Sequence, residues 1–135
     1  MHKDMKASYQ ISTFLKFLEG IEKDYNWALE EESKADGESQ DRLHQLELLS
    51  LSYHDQAKIA RQLKECRIRR RMMKDTIQVY TPIVEFIESD KGKMLIGQLQ
   101  QILGKVRKEE RRLEERTYTP RVLSKEEFLT VQQHG

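Results

Sequence analysis

The sequence predicts an all-α protein: an elongated helical subunit with a long central helix, a short extended C-terminal segment and a final short helix, assembled as a homo-oligomer. Three observations carry this. Apolar residues return at three- and four-residue steps over most of the chain, the period of one helix face. No Gly or Pro interrupts the stretch from Gln40 to Tyr80. Charged residues make up 35% and apolar residues only 37%, which suits long solvent-facing helices around a thin core. Such a subunit gains burial by pairing with copies of itself. The 135 residues read as one domain, with a core over about 9–123 and a C-terminal extension over 124–135.

The first helix is expected over about 9–33. Ile11, Phe14, Leu15, Leu18, Ile21, Tyr25, Ala28 and Leu29 form its stripe, and Ser8 or Ser12 stands ready as N-cap. Phe17 and Trp27 lie off that stripe and mark a second packing face or a ligand contact. Lys34 to Ser39 (KADGES) carries the Asp36-Gly37 turn signal and reads as a loop. A long second helix follows from about Gln40, with Leu43, Leu46, Leu49, Tyr53, Ala57, Ala60 and Leu63 in its stripe. At 1.5 Å per residue it would span about 60 Å, so a break within 50–56 is considered, where Ser50, Ser52 and Asp55 can bond to their own backbone. Either way the helix is too long to be buried by this chain alone, which favours an antiparallel dimer.

Thr81-Pro82 reads as a helix start, with Thr as N-cap and Pro at the first helical position. A short third helix to about Glu88 carries Phe86, and Ser89 to Gly92 reads as a turn. The fourth helix, about 93–115, places Met94, Leu95, Leu99, Ile102, Leu103 and Val106 on one side. Gly97 and Gly104 share a face and point to close helix–helix contact. Thr117 to Leu123 (TYTPRVL) is extended and stopped by Pro120. Ser124 to Glu127 forms a capping box that opens a last helix over about 125–132.

Several function classes fall away. The lone Cys66 excludes an internal disulfide and points to a reducing compartment. No apolar run approaches the roughly 18 residues of a membrane span, and MHKDMKASYQ has no signal-peptide core, so a soluble cytoplasmic protein is expected. His2, His44, His54 and His134 are scattered, which argues against a metal site. There is no glycine-rich phosphate loop, and Cys66 matches no nucleophile motif. The carboxylates read as solvated faces with i,i+4 partners. Neither an enzyme nor a cofactor is expected.

What remains is basic clustering on a chain whose net charge is only +1. From Arg61 to Lys74 (RQLKECRIRRRMMK), seven basic residues face the single acid Glu65. Arg67, Arg70, Arg71 and Lys74 fall on adjoining positions of one helix face, and Arg112 and Arg116 lie one turn apart. Guanidinium groups bind phosphate bidentately and stack on flat rings, a fit for a ligand carrying both a pyrophosphate and a base. Phe86 and Tyr118 could close a base sandwich, worth ~1–3 kcal/mol per stacked base. The competing reading pairs these arginines with Glu65, Glu109, Glu110, Glu114 and Glu115 as exposed salt bridges of little worth. Against nucleic acid stand the near-zero net charge, the acidic run Glu30-Glu31-Glu32 and the lack of a reading motif. A helical protein that blocks a partner's surface is the third option.

An aromatic-rich first helix leads to a long helix ending in LKECRIRRRMMKD. PIVEFIES and then LGKVRKEERRLEERTYTPRVL follow. This order resembles the phage anti-Thoeris sponge family, small phage and prophage proteins that sequester cyclic ADP-ribose signals made by TIR-domain enzymes. The resemblance spans roughly residues 10–123. It implies helical dimers that assemble further into hexamers and hold glyco-cyclic ADP-ribose between subunits without degrading it, in the host cytoplasm. It also implies that cyclic oligonucleotides can occupy a separate site. The family pattern places Arg61, Phe86, Arg112 and Arg116 at the pocket, and the local chemistry adds Tyr118 and Arg121. The family's pocket also uses an amide between the Phe and the last arginines. Here that region reads KGKMLIGQLQ, and only Gln98 and Gln100 offer one.

Overall fold

The computed structural model describes residues 6–134, with side chains through Thr130. His2 and most of the N-terminal stretch lie outside the described residues, as does the side chain of His134. The described chain is all-α: α1 (Ala7–Leu48), α2 (Tyr53–Glu88), α3 (Asp90–Glu115) and α4 (Lys125–His134). No described helix is long and apolar enough to cross a membrane.

α1 runs unbroken for 42 residues, so the expected loop over Lys34–Ser39 does not form. The reason lies in packing. Ala28 and Ala35 are fully buried and Ser39 nearly so, a strip of small side chains that lets α2 approach closely. Ser39 donates its hydroxyl to the Ala35 carbonyl at 2.8 Å, satisfying the buried group within the helix. Asp36, read as a turn former, instead forms an ion pair with Arg70 of α2 at 3.1 Å. Gly37 keeps a helical backbone, since no described glycine has positive φ. Tertiary contact has overridden the local turn signal.

The chain reverses at Leu49–Ser52. Ser52 caps α2 by accepting from the Asp55 N–H at 3.2 Å. The break considered for 50–56 therefore exists, and it turns the expected single long helix into two arms of an antiparallel hairpin. Arg69 and Arg70 meet Glu38 and Asp36, while Ile87 reaches Leu15 and Leu18 near the other end. The stripe read through Leu43, Leu49 and Tyr53 is not a core: Tyr53 is 92% exposed at the tip.

Pro82 lies inside α2 rather than opening a new helix. It leaves the Gln78 carbonyl without its helical donor, and Thr81 donates its own hydroxyl back to Ile77. The break comes at Ser89, a single residue that serves two helices. Its hydroxyl donates to the Phe86 carbonyl at 2.6 Å and accepts from the Gly92 N–H at 3.0 Å. The four-residue turn expected over Ser89–Gly92 shrinks to that corner. Gly92 makes it possible, because a Cβ there would sit 1.8 Å from the Phe86 carbonyl oxygen.

α3 then packs on the N-terminal part of α1. Leu103 is buried, the Ser8 N–H donates to Glu110 at 3.2 Å and Lys6 pairs with Glu114 at 2.6 Å. Gly97 and Gly104 face open space, so the helix–helix contact read from them is not made within the protomer. Trp27 and Phe17 are each 54% exposed, and the Phe17 ring stacks on Phe14 of the same helix at 6.5 Å. The Ser124 cap forms, accepting from the Glu127 N–H at 3.1 Å.

Candidate functional site

The residues singled out by sequence occupy three places. Arg61 is exposed near the start of α2, and Phe86, 46% exposed, sits at its far end, about 37 Å away along the axis. Arg112 and Arg116 lie at the end of α3, with Arg116 as its C-cap in extended conformation. Gly92, beside Phe86, is itself about 30 Å from Arg112 along α3. Tyr118 and Arg121 follow on the non-helical segment. One protomer thus gathers Arg112, Arg116, Tyr118 and Arg121 at one end and holds Phe86 and Arg61 apart from them.

The end of α3 separates its charges. Glu110 and Glu114 turn inward to the first residues of α1. Hydrogen bonding from Ser8 holds the Glu110 carboxyl below its ordinary range, and the hydrogen bond to Glu114 raises the Lys6 ammonium above its own. With two acids so engaged, Arg107, Arg111 and Arg116 make no ion pair among the described residues. Arg112 donates twice to Glu109, from Nε at 3.1 Å and Nη2 at 3.0 Å. Both partners are more than half exposed, so the pair is worth about 0–1 kcal/mol and yields readily to a phosphate. Lys105, seven residues before Arg112, shares its helix face and is exposed. Sequence reading passed over it, because the basic stretch it singled out begins two residues later at Arg107.

Tyr118 does not stand alone. Its ring lies 5.5 Å from that of Phe128, tilted by 33°, a contact that folds α4 back on the extended segment. Phe128 was missed because it falls beyond the stretch the resemblance covers. The contact leaves Tyr118 68% exposed, with most of its surface still open to a planar ligand.

The second basic surface is on α2. Arg69 and Arg70 are drawn toward α1 by Glu38 and Asp36. Lys64, Arg67, Arg71 and Lys74, with Arg70 at the edge, line a shallow open groove walled only by side chains of α2. At the α2–α1 contact Cys66 is buried beside Glu38. Burial, then the neighbouring carboxylate, push its thiol above the usual range, while its hydrogen bonding holds Glu38 below the usual carboxylate range. That is the environment of a packing cysteine rather than a nucleophile.

A third cleft, where α1, α2 and α3 meet at Leu15, Leu18, Ile87, Ile96 and Gln100, measures about 120 Å³. Ligand pockets are about 300–1,000 Å³, so it is too small for a nucleotide. Gln100 reaches it, and Gln98 is exposed on α3. Among the described residues no three His, Cys, Asp or Glu side chains gather as a metal set. No protein-family model, characterised protein or solved structure matches the chain.

Proposed function

We propose that this protein binds and sequesters a cyclic nucleotide second messenger, glyco-cyclic ADP-ribose, without degrading it, and so blocks Thoeris immunity as a phage- or prophage-encoded protein of the host cytoplasm. Its working form is a homo-oligomer, a dimer that assembles further to a hexamer. The observation that carries the reading is the end of α3, where Arg112, Arg116, Tyr118 and Arg121 follow one another with the ring of Tyr118 open, while Glu110 and Glu114 engage the start of α1 and Glu109 is held only in an exposed pair with Arg112. Arginine forks hold a pyrophosphate and an aromatic ring takes the base.

A second copy supplies the missing ring. Leu95, Leu99, Ile102, Val106 and Leu113 follow one another at heptad-like steps on α3 and are only partly covered. In an antiparallel α3 pair centred on this seam, Leu95 meets Leu113 and Ile102 meets Val106. The same register sets Gly92, and with it Phe86, beside Arg116 of the other copy. Two equivalent pockets result, each holding a ring from one chain and guanidiniums from the other. Ordering them in the dimer lowers the cost of binding.

The test is titration calorimetry with glyco-cyclic ADP-ribose. Arg112→Ala and Arg116→Ala should each weaken binding by about 1.5–3 kcal/mol, the worth of a charge-assisted hydrogen bond, while circular dichroism and oligomer size stay unchanged. Wild-type affinity in both variants would remove the pocket from α3.

A further inference from the structure

The groove on α2 has no role in that pocket. Arg71 stands about 22 Å along the helix from Phe86. Its seam runs Ala60, Lys64, Arg67, Arg71, Lys74, Gln78, all lining residues, at successive steps of four and three. Such steps keep side chains on one face of a helix. All four cations are exposed, and none pairs with an acid among the described residues. The one acid lining the groove is Asp75, a turn beyond Arg71 and not paired with it, and the fifth lining cation, Arg70, is paired with Asp36 of α1. The acidic run Glu30-Glu31-Glu32, which argued against polyanions at the level of sequence, belongs to α1 and lines no part of the groove. A net charge of +1 therefore conceals a local row of four uncompensated cations.

We propose that this groove is a second, separate binding surface, and that its ligand is the phosphate backbone of a single nucleic-acid strand, held without regard to sequence. The row is straight and about 15 Å long from Lys64 to Lys74, with cations about 4.5–6 Å apart along the axis. An extended strand lying alongside meets one cation after another. A duplex would not, because its backbones curve away from a straight row. An acidic protein helix docked on the same seam would have to bury four cations between two backbones, at a desolvation cost that pairing seldom recovers. A strand leaves them at the surface and gains from counterion release. The groove has no aromatic lining residue; its apolar lining is Ala60, Leu63, Ile68 and Met72. Recognition is therefore of the backbone and not of stacked bases.

The experiment is fluorescence anisotropy of an end-labelled 12-nucleotide oligothymidine, titrated with the full chain from 50 to 200 mM salt. Four phosphate contacts give a log–log salt slope of about −2.8, so affinity should fall about 50-fold over that range. Arg67→Ala with Arg71→Ala should halve the slope, to a fall of about 7-fold. Arg112→Ala with Arg116→Ala should leave the oligothymidine isotherm unchanged, even though it abolishes the proposed messenger binding. That separates the two surfaces, because either can fail while the other stands. No binding at 50 mM salt overturns the inference. So does an unchanged slope in the α2 variant, a loss confined to the α3 variant, or tighter binding to a 12-base-pair duplex.

Discussion

Gly92 shows what a single residue decides here. The corner at Ser89 brings the first turn of α3 against the Phe86 carbonyl, with no room for a Cβ. Gly92→Ala should cost about 1–3 kcal/mol through forced backbone displacement, read as a lower urea midpoint at unchanged m-value. Unaltered stability would mean the corner is built otherwise. Glu38 decides something different. Hydrogen bonding from Cys66 and the charges of Arg42 and Arg69 depress its carboxyl pKa, so its contribution is present at neutral pH, above the ordinary carboxylate value, and is lost as pH falls through the depressed one. Glu38→Gln should therefore flatten the acid limb of a melting-temperature profile while leaving its shape at higher pH; an acid limb identical to wild type would refute the contact. At this scale the sequence was read well where chemistry is local. Ser124 caps α4 as its spacing implied, and Cys66 proved a packing residue. It was read poorly where a residue answers to another helix, as Asp36 does to Arg70.

At the scale of elements, all-helical character, the helix ends at Glu88 and Glu115 and the final helix were legible from period and caps, whereas the end of α1 and the start of α2 were not. Asp-Gly and Thr-Pro are strong punctuation in isolation, yet both sit inside helices here. The strip Ala28, Ala35, Ser39 along α1 explains the first case, since it gains contact with α2 only if α1 continues. Its signal was present in the sequence as small residues at heptad spacing, but reading it required knowing that α2 folds back. Gly37→Ala tests the point directly. In a helix whose added Cβ meets nothing within 4 Å, alanine should stabilise by about 0.8–1 kcal/mol. In a left-handed turn it would destabilise instead, and a fall in the denaturation midpoint would restore the loop.

For the whole molecule, the relevant quantity is surface. The chain exposes 11337 Å², whereas a compact monomer of its mass exposes about 7,400 Å². The excess is ample for interfaces of obligate size, about 2,000–5,000 Å² over both partners. The apolar seam of α3 and the hairpin tip at Leu48, Leu49 and Tyr53 account for part of it. This is also why the candidate site was only half legible. The resemblance singles out the arginines at the end of α3 together with Phe86, but within one protomer Phe86 stays far from them, and the account joins them only across two copies. The measurement that tests it most directly is retention of ligand. Purified protein is mixed with glyco-cyclic ADP-ribose and ultrafiltered, and the flow-through is assayed by chromatography; the retentate is then heated and assayed again. The account predicts ligand missing from the first sample and recovered intact from the second. Ligand passing straight through would contradict binding, and ligand recovered in altered form would contradict sequestration without chemistry.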